Sequence, residues 1–154
     1  MKNLNIVIRE PQNFTEFNEY YNLRWKILRQ PLGQKIDSIK DELENKSYHL
    51  VALLDERNII GVGRLHPLNN EKSQIRYMAI SKKYQKLSVG KKILKGLELR
   101  AKTDNKKYIV LHARESALNF YINNGYKIVK KSHLIFGKIQ HYLMIKKILY
   151  KNNE

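Results

Sequence analysis

Cysteine is absent from the chain, which excludes disulfides, thiolate metal sites and a cysteine nucleophile. Proline is scarce. Pro11, Pro31 and Pro67 fall outside the strongly periodic segments, so they punctuate the chain without dividing it. No apolar run approaches the ~18 residues of a membrane span. The opening MKNLNIVIRE has no long apolar core, so no secretory signal is expected, and the cytoplasm is the expected compartment. Repeats, linkers and low-complexity tracts are also missing. A chain of 154 residues reads as one domain, 1–154, large enough to fold without a metal or disulfide. No His, Asp or Glu set has metal-ligand spacing, so no metal is expected, and no Gly-x-Ser-x-Gly elbow occurs.

Negative charge is scarce in one half. Residues 1–75 carry 11 Lys and Arg against 10 Asp and Glu, while the remainder carries 19 against 4. The second half therefore attracts polyanions: nucleic acid, anionic lipid or a polyphosphate ligand. Biased usage is the plain alternative, because 22 of the 30 basic residues are Lys.

Hydrophobic periodicity orders the elements as β-α-α-β-β-β-α-β-α-β-β, a mixed α/β pattern. Strands are expected at 4–9, 48–54, 59–66, 73–81 and 108–112, with a closing hairpin at 126–136 and 140–148. Phe14, Phe17, Tyr21 and Leu28 place a first helix at 14–30, and a short acidic helix is expected at 36–45. Val89, Ile93, Leu94, Leu97 and Ala101 mark a long helix at 89–103. A further helix at 115–124 should stop at Gly125 in a left-handed cap. Strand 73–81, helix 89–103 and strand 108–112 form a parallel crossover.

The chemistry concentrates where strand 73–81 turns into helix 89–103. A helix start leaves about four N–H groups without intrahelical acceptors and carries the positive end of the dipole, so it binds phosphate. Ser88 suits an N-cap, Gly90 allows close backbone approach, and Lys82, Lys83, Lys86, Lys91 and Lys92 surround the turn. An ordinary turn with solvated lysines has the same residues.

Gln85-Lys86-Leu87-Ser88-Val89-Gly90 resembles the Gln/Arg-x-x-Gly-x-Gly/Ala turn of the GNAT acyltransferase superfamily, and Ala117 to Tyr126 resembles that family's Ala-x-x-x-Tyr-x-x-x-Gly-Phe/Tyr helix. The element order agrees over nearly the whole chain. The resemblance implies a central sheet of six to seven strands with about four flanking helices, its parallel pair 73–81 and 108–112 splayed. It implies acetyl-CoA as acyl donor, with the pantetheine arm along Met78, Ala79 and Ile80. Gln85, Lys86, Leu87, Ser88, Val89, Gly90 and Lys91 would hold the pyrophosphate, and Arg114 and Asn119 are further cofactor contacts. Ser88 stands where the family has its first glycine. A negative φ there would keep the amide cradle intact, whereas a positive φ would cost energy.

The resemblance makes Tyr121 the catalytic side chain, donating to the departing thiolate, and Met78 N–H the donor to the oxyanion. A free Tyr titrates near ~10 and a thiol near ~8.5, so a hydrogen bond is easier than full proton transfer by about 2 kcal/mol. An amine acceptor of pKa near ~10 is about one part in a thousand neutral at pH 7, so a base is needed. His112, ending its strand, is the first candidate, ahead of His66, His141 and Glu115. Arg29, Arg64 and Arg76 are expected at the acceptor mouth, where they would favour an acceptor bearing a carboxylate or phosphate. The expected activity is direct acetyl transfer to a primary amine of a small molecule or peptide. A non-catalytic acyl-CoA sensor and a basic nucleic-acid binder are the alternatives. No nucleic-acid motif supports the latter. The closing hairpin offers a surface for a homodimer.

Overall fold

The computed structural model describes residues 4–150. Seven strands are present: β1 (Ile6–Arg9), β2 (Tyr48–Leu54), β3 (Asn58–Pro67), β4 (Lys72–Ile80), β5 (Tyr108–Arg114), β6 (Lys127–Ile135) and β7 (Ile139–Lys147). They hydrogen-bond in the order β1-β2-β3-β4-β5-β7-β6. The β4–β5 pair is parallel, and β1–β2, β2–β3, β5–β7 and β6–β7 are antiparallel. The helices are α1 (Phe14–Leu28), α2 (Val89–Thr103) and α3 (Leu118–Asn123), with short 3-10 turns between elements. The expected mixed α/β sheet with its parallel crossover is therefore present. No helix among the described residues is long and apolar enough to cross a membrane.

The chain packs as two compact units. The first comprises Met1–His66 and Tyr77–Leu97. In it, α1 begins at Asn13, whose side chain accepts the Glu16 N–H at 2.9 Å, and Arg9 forks onto the Glu16 carboxylate at 2.8 and 2.7 Å. Tyr20, Val51, Leu53, Val62 and Ala79 form a buried core against which Phe17, Tyr21, Leu23, Ile27 and Leu28 pack. The other sheet face carries α2, whose Val89, Ile93, Leu94 and Leu97 are buried. Each such side chain contributes roughly 1.5–3 kcal/mol. Two glycines of β3 let α2 lie this close. A Cβ on Gly61 would stand 2.7 Å from Ile93 Cδ1, and one on Gly63 would stand 2.8 Å from Ile93 Cγ2 and from Met78 Sδ.

The second unit comprises Pro67–Arg76 and Glu98–Glu154. Here β5 pairs with β7 from Tyr108↔Lys147 to Arg114↔His141, and β7 with β6 around a turn at Gly137, which has φ +65. Ile109, Leu111, Ala113 and Met144 are buried, whereas β6 is exposed along most of its length.

Three local expectations change. Phe14 is exposed, and the buried line of α1 runs through Tyr20 and Arg24. The helix expected at 36–45 is instead two 3-10 turns, Ile36–Ile39 and Glu44–Lys46. Lys40 between them is extended, and the Asp41 side chain accepts the Leu43 N–H at 2.9 Å, a local turn that competes with helix. The segment 115–124 begins as a 3-10 turn, Glu115–Ala117, before α3, and Gly125 follows with the expected positive φ of +93.

Candidate active site

The turn from β4 to α2 is built by local hydrogen bonds. Ser81 N–H donates to the Ile60 carbonyl at 2.8 Å, Tyr84 N–H to Ser81 at 2.8 Å, and the Gln85 side-chain amide to the Ile80 carbonyl at 3.1 Å. Residues 85–88 are exposed, while Val89 and Gly90 are buried. Lys92 N–H bonds to the Ser88 carbonyl at 3.1 Å. Helix geometry leaves the N–H groups of Val89, Gly90 and Lys91 ahead of it with no intrahelical acceptor. Ser88 holds φ +62, the left-handed region. The residue replacing the usual glycine therefore has the conformation that glycine would adopt freely and Ser adopts at a cost. An open helix start flanked by lysines fits a diphosphate.

The β4–β5 ladder runs from Lys72↔Tyr108 to Ile75↔Leu111 and stops, although β4 continues to Ile80. Tyr77, just past the last pair, has φ +59. A left-handed residue inside a strand turns the next peptide, which carries Met78 N–H, out of the ladder direction. The Tyr77 ring is buried beneath guanidiniums: Arg24 at 4.1 Å from its centroid, Arg64 at 4.9 Å and Arg29 at 5.9 Å. Arg64 forks onto Asp41 at 2.7 and 2.9 Å and reaches Glu44 at 2.7 Å. Arg24 meets Glu44 at 2.9 Å and the Ile39 carbonyl at 2.7 Å. The turns at 36–46 are thus fastened to α1 and β3 by ion pairs. Of the three arginines expected at the acceptor mouth, Arg64 is fully buried and spent on these carboxylates. Arg29 keeps 8 % of its surface exposed, and Arg76 is exposed on the face of β4 opposite Tyr77. Arg24, Asp41, Glu44 and Tyr77 were not legible as members of one cluster. The recurrence of arginine at 24 and 29 was the available signal.

In the second unit, α3 carries Tyr121, 7 % exposed, with its ring edge-on to Tyr126 at 5.7 Å. Burial pushes the Tyr121 hydroxyl well above its ordinary pKa, so it remains protonated and able to donate. A helix of six residues does not hold itself. Tyr126 N–H donates to the Tyr121 carbonyl at 3.0 Å, Tyr126 Oη to Glu98 at 2.8 Å, and Lys146 Nζ to Glu98 at 3.0 Å and to the Asn124 carbonyl at 2.8 Å. Asn119 is exposed on α3, and Arg114 is half-buried where β5 meets the 3-10 turn.

His112 lies with its ring 4.2 Å from that of His133 and its Nδ1 2.9 Å from Ser132 Oγ. Burial first, then His133, His141, Arg76 and Lys130, lower its pKa to about 4. The ring is neutral at pH 7 but weakly basic. Taking a proton from an ammonium of pKa near ~10 would be uphill by about 8 kcal/mol. Its use as the amine's base is therefore unfavourable in this environment. Of the weaker base candidates, His66 receives a hydrogen bond from Arg64 at 3.1 Å, His141 Nδ1 lies 3.0 Å from the Ile139 carbonyl, and Glu115 accepts from Tyr142 at 3.3 Å. Among the described residues no group of three or more His, Asp or Glu could hold a metal ion.

A family model described as an acetyltransferase (GNAT) domain matches residues 28–148. The uncharacterized N-acetyltransferase YjcF of Bacillus subtilis is 29 % identical over 106 residues, covering 69 % of this chain and 74 % of that protein. A GNAT-family acetyltransferase of Staphylococcus aureus Mu50 superposes with a TM-score of 0.75 at 25 % identity, covering 94 % of this chain and all of the other. A GNAT-family acetyltransferase from Elizabethkingia anophelis, solved with acetyl-CoA bound, superposes at 0.68 with 19 % identity, covering 93 % and 98 %.

Proposed function

The chain belongs to the GNAT acetyltransferase family, and from that premise we propose that it transfers an acetyl group from acetyl-CoA to a primary amine of a small molecule or peptide by direct attack. The observation that carries this reading is the exposed turn 85–88 leading into a helix start whose first N–H groups lack intrahelical acceptors. It offers a diphosphate cradle without needing side-chain ligands, and Lys86 and Lys91 add charge beside it.

Bound acetyl-CoA supplies the reactive thioester. Met78 N–H, in the peptide turned by Tyr77, donates to the carbonyl oxygen as it gains negative charge. The backbone of Met78 and Ile80, past the end of the β4–β5 ladder, pairs with the pantetheine amides as an added strand would. Tyr121 Oη donates a hydrogen bond to the departing sulfur. Its raised pKa favours donation without loss of the proton, since a thiolate near ~8.5 is the weaker base. The acceptor's ammonium loses one proton to bulk solvent, at a cost of about 4 kcal/mol at pH 7; the free amine attacks the thioester carbon, the C–S bond breaks, and the second nitrogen-bound proton leaves to solvent or to the departing thiolate.

Thiol release from acetyl-CoA over a panel of primary amines, with CoA binding followed by calorimetry, tests the reading. Saturable CoA binding with amine-dependent thiol release is expected. Binding without turnover on any amine would make the protein a sensor, and no CoA binding would remove the assignment of the turn.

A further inference from the structure

Two charged side chains of the second unit stand where the hydrophobic pattern asks for apolar ones. Lys146 of β7 pairs with Ile109 of β5, as Met144 pairs with Leu111, and Ile109, Leu111 and Met144 are all buried. Paired residues share a sheet face, so Lys146 emerges on the packed side. Glu98 lies three residues before the buried Ala101 on α2, and so on the same helical stripe. The two charges meet at 3.0 Å, with 30 % of the Lys146 side chain and 19 % of the Glu98 side chain exposed. A partly buried ion pair adds little stability over a well-packed apolar pair, because desolvation offsets the attraction. It does select one geometry, since each partner is satisfied only by atoms in definite places.

Those places lie at the end of α3. Glu98 Oε2 also accepts from Tyr126 Oη at 2.8 Å, and Lys146 Nζ also donates to the Asn124 carbonyl at 2.8 Å. The Tyr126 ring is buried edge-on to Tyr121 at 5.7 Å, and its N–H donates to the Tyr121 carbonyl at 3.0 Å. Asn124 N–H reaches the same carbonyl at 3.0 Å, and Asn124 Nδ2 the Phe120 carbonyl at 2.7 Å. At its start α3 follows Ala117, whose side chain cannot cap a helix. Lys146 supplies a cation and a donor at the opposite end, where helix carbonyls lack intrahelical partners. The fit is close: a Cβ on Gly125 would stand 3.2 Å from Lys146 Cε.

We infer that Glu98 and Lys146 are positioning residues: acting through Tyr126 and the C-terminal end of α3, they hold Tyr121 Oη where it donates to the departing sulfur. What Tyr121 does there rests on the acetyl-transfer reading, whereas what holds it rests on the network alone.

Two measurements separate these. In the first, kcat and KM are compared across variants whose thermal melts show them folded. Lys146→Met keeps the stem and removes the charge with its donors. It should lower kcat about tenfold or more, since small displacements of a reacting group are costly, and leave KM for acetyl-CoA within about twofold. Lys146→Arg, still able to donate to Glu98 and to the Asn124 carbonyl, should recover most of kcat. In a Tyr121→Phe background Lys146→Met should cost nothing further, because groups that act as one unit are not additive. Losses that multiply in the double variant, or full kcat in Lys146→Met with a lower melting temperature, overturn the inference and leave an ion pair of purely structural use. Glu98→Gln, which keeps an oxygen acceptor for Tyr126, is the gentler change and carries the same comparison if Lys146→Met does not fold.

The second measurement needs no turnover. Tyrosine 13Cζ resonances are recorded for the parent and each variant. Those of Tyr121 and Tyr126 should shift in Lys146→Met, shift less in Glu98→Gln and return in Lys146→Arg, while the other tyrosines stay in place. A Tyr121 resonance unmoved in Lys146→Met and Glu98→Gln overturns the inference and leaves acetyl transfer standing. A Tyr121 shift in a protein that acetylates no amine keeps the positioning assignment and counts against the transfer reading.

Discussion

The Arg24 guanidinium lies 4.1 Å from the ring centre of Tyr77, a residue with φ +59 in the middle of a strand. A positive φ is unfavourable for a bulky residue and persists where its surroundings enforce it. Here the ring lies under three guanidiniums, of which Arg24 and Arg64 are held by Glu44 and Asp41. The left-handed residue is also the one that sets the direction of Met78 N–H. The cluster thus connects the ion pairs of the 36–46 turns to the peptide proposed to stabilise the oxyanion.

Removing the aromatic ring should release this arrangement. Tyr77→Leu is expected to lower stability by about 2 kcal/mol or more, because desolvated cation–π contacts are lost, and to reduce turnover as the Met78 peptide relaxes. Tyr77→Phe, which keeps the ring face, should stay much closer to the parent. Urea denaturation and thiol-release rates on the three proteins would decide it; equal behaviour of the Leu and Phe variants would dissociate the ring from Met78.

Ser88 provides a second backbone test. At φ +62, Ser88→Gly should stabilise the fold by roughly 0.5–1 kcal/mol while keeping or improving CoA affinity. Ser88→Asp should separate folding from binding. A carboxylate near a helix start favours the helix but repels a diphosphate, so the melting temperature should hold while CoA affinity falls. Calorimetry with CoA and thermal melts check both, and unchanged affinity in the Asp variant would place the diphosphate elsewhere.

Tyr121→Phe removes one buried hydroxyl from a site where the ring packs on Tyr126. Turnover should fall by roughly 10²-fold or more, the range for a lost proton or hydrogen-bond donor, with little change in CoA affinity. Because burial raises the Tyr121 pKa, its ionisation should leave no alkaline limb in the rate profile below pH ~10. Unchanged turnover in the Phe variant would remove Tyr121 from the reaction.

His112 makes a prediction of opposite kind. Its folded pKa of about 4 lies below the unfolded value near ~6.5. The unfolded chain then binds more protons between these limits, so the His112 contribution should be intact above about pH 6.5 and lost progressively as pH falls toward about 4. His112→Asn should flatten that part of the stability curve. The same substitution should leave the pH dependence of acetyl transfer above about pH 5 unaltered; a shifted acidic limb near neutrality would restore His112 to the proton path.

The elements that position the site were legible because their signals are local. The stripe Val89, Ile93, Leu94, Leu97 has the period of a helix, and all four side chains are buried on one face of α2. Gly125 marks the end of α3 because a left-handed cap asks for glycine, and it has φ +93. The turn 85–90 and the segment around Tyr121 each lie within about ten residues, so their residue types carry the resemblance to the family without knowledge of any distant contact.

What only the tertiary structure decided depends on residues far apart in the chain. Asp41 and Glu44 look like the acidic side of a short helix, yet Arg24 and Arg64, respectively 20 residues before and after Glu44, draw them into a buried cluster. One of the arginines expected to greet a substrate, Arg64, is occupied there, and Arg29 keeps only 8 % of its surface exposed. The basicity of His112 likewise follows from burial beside His133 and His141 on two other strands. Periodicity and turn chemistry are written over a few consecutive residues. Charge pairing, desolvation and the sign of φ at Tyr77 and Ser88 arise only when packing brings separate segments together.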